Sequence, residues 1–293
     1  MNPIGIISMQ HNRPFTGLDF PQFARWKTAG YDFAELLVPE PGELDLALTR
    51  RALADAGLGV VLAARVNLDR NLTGDDAAKR QAGLDYLRYC AETAQALGAT
   101  LVGGPLYGNP LVFAGRAPQV VSEAQRQARV EWCVEGLKRG AEAAASCGIR
   151  FGVEPLNRFE TDMLNTTRQG VALMQWVDHP AVGLVLDTFH MNMEDDDIPG
   201  AVRHAAAHMF HFQANENHRG YLGTGHLEWT SITRALGDIG YTGTISLEPF
   251  RRTDERIGIP FAQWKPPAHD ESQELAAGCA FIKSLIALNG GRK

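Results

Sequence analysis

Acidic residues end several strand-like apolar runs in the second half of the chain. Glu154 and Asp187 each end one such run, and Glu248 ends a third. In a parallel sheet the carboxyl ends of the strands meet at one edge, so we expect these three side chains to converge. Three carboxylates repel one another unless a cation lies between them, and their oxygens suit hard divalent cations. The sequence therefore predicts a divalent metal site.

A fourth ligand is expected from the apolar run 207–213, which holds two candidates. His211 and Gln213 lie two residues apart, so they face the same side of a strand. The residue nearer the carboxyl end reaches the rim, which favours Gln213 over His211. An amide oxygen would make every ligand an oxygen, which favours Mn²⁺, with Mg²⁺ or Co²⁺ as alternatives, and makes Zn²⁺ a poorer fit.

These ligands require a scaffold that aligns strand ends, and the pattern of the whole chain predicts one. Short β-rich runs alternate with amphipathic helical segments eight times. Such alternation predicts a parallel sheet, and eight strands close into a (β/α)8 TIM barrel. No linker divides the sequence, so we expect a single α/β domain over 1–293. The predicted strands lie near 4–8, 31–37, 58–64, 99–104, 149–154, 182–187, 207–213 and 243–248. The predicted helices lie near 19–29, 43–56, 75–97, 119–147, 166–178, 196–206, 229–239 and 271–289.

Composition argues against several classes of partner. The formal net charge is -6 and the basic residues are scattered, so a nucleic-acid backbone is a poor partner. No apolar stretch is long enough to span a membrane, and the start of the chain lacks the core of a signal peptide. The four cysteines are far apart, which argues against a disulfide framework and a cysteine zinc site. We expect a cytoplasmic protein with reduced thiols.

Four runs of the sequence resemble the signatures of the D-tagatose 3-epimerase and D-psicose (allulose) 3-epimerase family, within the xylose isomerase-like barrel superfamily. The runs are VEPLNRFETDMLN, LDTFHMNMEDD, HFQANENHRG and SLEPF. The resemblance implies that Glu154, Asp187, the residue at position 213 and Glu248 hold the metal. That family has His at position 213, so Gln213 is a departure. In this respect the chain is similar to the hydroxypyruvate isomerase branch, where an amide oxygen serves as ligand.

The resemblance also implies an activity, the epimerisation of free ketoses at C3 through a cis-enediolate. Glu154 and Glu248 would flank the sugar and act as the acid/base pair, one on each face. Glu160 would lie beside Glu154 and tune it. His190 and Arg219 would hydrogen-bond the O1 and O2 end of the ketose. A homodimer or homotetramer is the expected assembly.

The same residues are compatible with three other functions, which differ in the carbon that exchanges its proton, in the substrate, or in the absence of a metal. An aldose-ketose isomerase of the hydroxypyruvate isomerase type is the nearest, because of Gln213. An enolising enzyme that acts on 3-oxo-glycosides is a second. A sugar-binding protein without catalysis is a third, and metal content separates it from the enzymes.

Substrate preference is expected to depend on the two longest loops and on side chains near the rim. The loops 105–118 and 251–270 follow strands and are candidate lids, with Phe113 and Trp264 as aromatic residues in them. Glu35 is expected either to contact the site or to cap a loop. The other candidate side chains are Ser8, Ala64 and Tyr107.

Overall fold

A closed barrel of parallel strands forms the centre of the protein. The computed structural model describes residues 2–10, 14–65, 67–111, 114–250 and 270–289. Eight strands pair in chain order, and the last pairs back onto the first. The predicted (β/α)8 TIM barrel is therefore confirmed. The strands are β1 (Ile4–Ile7), β2 (Phe33–Leu37), β3 (Gly59–Ala63), β4 (Leu101–Gly104), β5 (Arg150–Val153), β6 (Val182–Asp187), β7 (Met209–Ala214) and β8 (Thr244–Leu247).

The helices connect successive strands, as the alternating pattern predicts. They are α1 (Pro21–Thr28), α2 (Leu46–Ala56), α3 (Ala77–Leu97), α4 (Glu123–Ser146), α5 (Thr167–Val177), α6 (Thr188–Glu194), α7 (Ile198–His204), α8 (Trp229–Asp238) and α9 (Glu271–Asn289). Within the described ranges there is one helix more than the eight expected, because α6 is additional. It starts directly after β6, where the Asp187 side chain accepts a hydrogen bond of 2.8 Å from the Phe189 N–H. None of the described helices is both long and apolar enough to cross a membrane.

Helix boundaries follow from local side-chain chemistry. Ser122 and Thr166 begin α4 and α5, each in a capping box with the Gln three residues later. At the C-terminal ends of α2 and α3, Gly57 and Gly98 adopt left-handed conformations with φ of 68° and 82°. Glycine takes such φ values without the steric cost that a Cβ brings. These stops return the chain to the amino end of the next strand.

The pairing of β6 with β7 sets the level of the site. A register shift lies between Leu184 and Val185, and beyond it Asp187 pairs with Gln213. Below this level the barrel is tightly filled, since a Cβ on Gly152 would come within 2.6 Å of Val185 Cγ2. The cavity lined by residues such as Glu154 and Glu248 lies above this level, at the carboxyl ends of the strands.

Candidate functional site

Three predicted acids converge at the carboxyl ends of the strands. Glu154 directly follows β5, Asp187 ends β6 and Glu248 directly follows β8. Their exposed fractions are 6%, 1% and 5%, so each carboxylate is withdrawn from bulk water. Glu154 and Glu248 line a cavity of about 100 Å³. Asn215 Nδ2 bridges Asp187 and Glu248, since it lies 3.3 Å from Asp187 Oδ2 and 2.9 Å from Glu248 Oε2.

The electrostatics of this cluster are those of an anionic site with too little positive charge. Burial raises the pKa of Glu154 and that of Glu248 well above the ordinary value. The Asp187 carboxylate raises both pKa values further, while the Arg219 guanidinium acts in the opposite direction. A divalent cation between the carboxylates would favour their ionised forms.

Gln213 lines the same cavity. Its Nε2 donates a hydrogen bond of 2.9 Å to Glu35 Oε1, which leaves Oε1 as the free end of the amide. Gln213 Oε1 is buried and has no hydrogen-bond partner among the described residues. A buried acceptor of this kind is costly unless it meets a donor or a cation. The donor set of three carboxylates and this oxygen therefore fits a hard divalent ion.

His211, the other candidate on β7, lies deeper in the barrel and is fully buried. Its Nδ1 lies 2.7 Å from Thr244 Oγ1, and its Nε2 lies 2.9 Å from Ser246 Oγ and 3.3 Å from Glu35 Oε2. Of the two candidates, Gln213 is the one that lines the cavity.

His190, on α6, lies against the acids. One potential metal-ligand atom from each of Glu154, Asp187 and His190 lies within 4.8 Å of the other two. The Asn157 backbone N–H donates a hydrogen bond of 3.0 Å to His190 Nδ1. Burial lowers the pKa of His190, although the carboxylates of Glu160 and Asp187 act against this change, so the neutral ring is favoured.

Arg219 is held on the other side of His190 by aromatic and acidic neighbours. Its guanidinium carbon lies 4.1 Å from the ring centre of Phe189 and 4.5 Å from that of Phe250. Its Nη2 lies 2.9 Å from His190 Nε2 and 3.7 Å from Asp187 Oδ2. The φ of Arg219 is 53°, a left-handed conformation that is uncommon for a residue with a side chain.

Glu160 lies next to Arg219 at the edge of the cavity. Its Oε1 accepts a hydrogen bond of 2.9 Å from Asn157 Nδ2 and lies 3.6 Å from Arg219 Nη1. Burial works to raise the pKa of Glu160, but the charge of Arg219, the neighbouring His190 ring and the hydrogen bond from Asn157 outweigh it and lower the pKa. Glu160 is therefore an ionised neighbour of the guanidinium.

The side chains named for substrate preference have different positions. Ala64 lines the cavity. The Tyr107 hydroxyl instead donates a hydrogen bond of 3.1 Å to the Glu154 carbonyl oxygen, so this side chain joins two loops. Ser8 is buried, with an Oγ that has no partner within the described chain. Phe113, Trp264 and positions 251–269 lie outside the described residues. The role of the two loops as lids stays a prediction.

Sequence reasoning missed two residues of this site and left a third open. Asn215, which bridges two carboxylates, and Asn157, which holds His190 and Glu160, were not expected. Asn215 continues the two-residue period of His211 and Gln213 along β7, and that period was a usable signal. Glu35 lies inside β2 and contacts Gln213, so of its two expected roles the contact is the one observed.

Comparisons with known proteins point to one family. Residues 23–285 match the family described as xylose isomerase-like TIM barrel. The L-ribulose 3-epimerase of Mesorhizobium japonicum is 32% identical over 83% of this chain and 80% of its own. The D-psicose 3-epimerase of Agrobacterium fabrum is 33% identical over 84% of each chain. A solved structure of L-ribulose 3-epimerase superposes with a TM-score of 0.90 at 29% identity, covering 99% of this chain and 96% of that one.

Proposed function

Since the chain belongs to the xylose isomerase-like TIM barrel family, we propose that it is a metal-dependent ketose 3-epimerase. It interconverts free ketoses at C3 through a cis-enediolate. Relatives that cover most of the chain are named L-ribulose 3-epimerase and D-psicose 3-epimerase, which are isomerases. The observation that carries the proposal is the meeting of three buried carboxylates with the partnerless oxygen of Gln213.

Four residues would hold the metal: Glu154, Asp187, Gln213 and Glu248. All of their donor atoms are oxygens, so Mn²⁺ is the expected ion, with Mg²⁺ or Co²⁺ as alternatives. When bound, the ion polarises the carbonyl of the ketose and stabilises the negative charge that develops on its oxygens.

Glu154 and Glu248 would move the proton. Both line the cavity, one from β5 and the other from β8. One carboxylate removes the proton from C3, and the other, in its acid form, returns a proton to the opposite face of the same carbon. In the reverse reaction the two exchange roles.

His190 and Arg219 would orient the O1 and O2 end of the sugar. The guanidinium of Arg219 is a donor next to the acids, so it opposes negative charge on those oxygens, and the His190 ring, which lies against Arg219 and Asp187, would hydrogen-bond the sugar beside it. Glu160 would tune Glu154, whose pKa its charge raises, and its Oε1 also lies 3.6 Å from Arg219 Nη1. We also propose a homodimer or homotetramer, which light scattering of the purified protein tests.

The test is to incubate the protein with Mn²⁺ and a panel of ketoses and short oxo-acids in D₂O. NMR then identifies the carbon that acquires deuterium. Deuterium at C3 together with a new C3 epimer is the expected result. Exchange at C1 with formation of an aldose or aldehyde would support the second candidate, an isomerase of the hydroxypyruvate type, which the amide of Gln213 favours. Bound Mn²⁺ without any exchange would overturn both.

A further inference from the structure

A buried polar network lies directly beneath Gln213. Glu35 on β2, His211 on β7 and Ser246 on β8 are each fully buried. Glu35 Oε2 accepts a hydrogen bond from Ser246 Oγ and lies 3.3 Å from His211 Nε2. The other carboxylate oxygen of Glu35, Oε1, accepts a hydrogen bond of 2.9 Å from Gln213 Nε2. Thr244 Oγ1 completes the network, 2.7 Å from His211 Nδ1.

This network distinguishes the two ends of the Gln213 amide. The amide oxygen and nitrogen have nearly the same shape, so packing alone does not choose between two orientations that differ by a 180° rotation. An ionised carboxylate only accepts hydrogen bonds, so Glu35 attracts Nε2 and repels Oε1. In the opposite orientation an NH₂ group would face the cavity, and NH₂ does not bind a cation.

We propose that Glu35 is a positioning residue that orients Gln213 so that its carbonyl oxygen faces the metal site. Glu35 is fully buried and is not one of the residues that line the cavity, so it acts through Gln213. His211 and Ser246 hold the carboxylate from its other oxygen. The inference rests on the proposed function only in taking Gln213 as a ligand of the ion.

The test is the affinity for Mn²⁺, measured by the EPR signal of the free ion, in Glu35→Gln. Glutamine keeps the shape but offers an NH₂ as well as an oxygen, so the Gln213 amide is no longer held in one orientation. Loss of a residue that orients a metal ligand typically weakens affinity by about 10- to 100-fold, and we expect a loss in that range. Thr244→Val is the matched control, because it removes a hydrogen bond of the same network without touching Glu35 or Gln213. Its dissociation constant should stay within about twofold of the wild-type value, because both partners of the hydrogen bond between Glu35 and Gln213 remain in place.

A double variant separates positioning from a general structural effect. In a Gln213→Ala background there is no amide to orient, so adding Glu35→Gln should change Mn²⁺ affinity by less than about twofold. Losses that multiply in the double variant, or wild-type affinity in Glu35→Gln, would overturn the inference. A wild-type protein that binds no Mn²⁺ would overturn the proposed function as well.

A second measurement covers the case in which Glu35→Gln does not fold. The side-chain NH₂ signal of Gln213 in the ¹⁵N-labelled wild type, assigned by its loss in Gln213→Ala, should exchange slowly with D₂O because Glu35 holds it in the barrel interior. It should remain protected when Mg²⁺ is added. Rapid exchange of these protons would contradict the assigned orientation.

Discussion

The two halves of the barrel rim line one cavity with opposite chemistry. The ends of β5 to β8 contribute carboxylates and an amide, supported from below by the buried network of Glu35. The ends of β1 to β4 contribute mainly apolar atoms. In the β5 to β8 half, the residues that line the cavity include Glu154, Gln213 and Glu248. In the β1 to β4 half, they include Ile7, Leu37, Ala63 and Gly104.

Among the described residues of the β1 to β4 half, Arg65 is the charged one that lines the cavity. Its Nη2 lies 2.8 Å from Glu43 Oε2, so its charge is already paired outside the cavity. The difference between the halves assigns them separate tasks. Under the proposed function, metal binding and proton transfer would belong to the β5 to β8 half, whereas the β1 to β4 half would shape the space that the substrate fills. Substitutions in the two halves should therefore change different kinetic quantities.

The largest effect is expected from removing one of the two bases. Glu154→Gln and Glu248→Gln each keep an oxygen for the metal but lose a proton carrier, so epimerisation should fall by about 10³-fold. Because one base remains in each variant, exchange of the C3 proton with D₂O should persist for one epimer of the substrate without conversion to the other. NMR measures both rates in one sample. If both variants retained epimerisation within tenfold, the two-base mechanism would be wrong.

The next effect is expected at Arg219. Arg219→Lys keeps a positive charge but loses the planar fork and the contact with Phe189 and Phe250. The turnover number should fall by about 10²-fold, the range for one group that stabilises developing negative charge. Arg158→Lys is the matched control, because that side chain is 62% exposed and pairs with Glu194. A turnover number of Arg219→Lys equal to that of the control would remove Arg219 from the mechanism.

Metal binding should stabilise the fold through one half of the rim only. Mn²⁺ at 100 times its dissociation constant should add about 2.7 kcal/mol to the free energy of unfolding. At an unfolding entropy of about 2.1 cal/mol/K per residue, that corresponds in this chain to a rise in Tm of about 4–5 °C. Asp187→Asn should lose most of this rise, and Leu37→Ala, although less stable, should keep it. Differential scanning fluorimetry with and without Mn²⁺ measures both, and an equal rise in the two variants would contradict the division of the rim.

The fold was predictable because its signals are local and repeated. Eight alternations of apolar runs and amphipathic segments leave few topologies other than a closed barrel, and the structure confirms it. The rim acids were predictable for the same reason, because a residue that ends a strand has a known place in this fold. Glu154, Asp187 and Glu248 could therefore be placed next to one another from the sequence.

The parts that sequence reasoning missed depend on contacts between distant segments. Helix α6 has seven residues, too few for a helical period to stand out, and it begins where Asp187 doubles as the N-cap. The role of Glu35 depends on residues more than 170 positions away, on β7 and β8. No local pattern reports such a contact. Asn215 could have been predicted, because it lies two residues after Gln213 and so faces the same side of the chain at β7.

The smallest effect is expected from the apolar half, where Leu36 and Leu37 offer a matched pair. They are neighbours on β2 and face opposite sides of the strand, so Leu37 lines the cavity while Leu36 packs in the hydrophobic core. Leu37→Val removes one methylene from the cavity wall, about 0.8 kcal/mol of apolar contact, and should raise KM by about fourfold. The turnover number should stay the same, because contacts with a non-reacting part of the sugar are equal in the ground and transition states. Leu36→Val should lower Tm and leave KM unchanged. A fall in the turnover number of Leu37→Val beyond about threefold would mean that the apolar half also positions the reacting carbon.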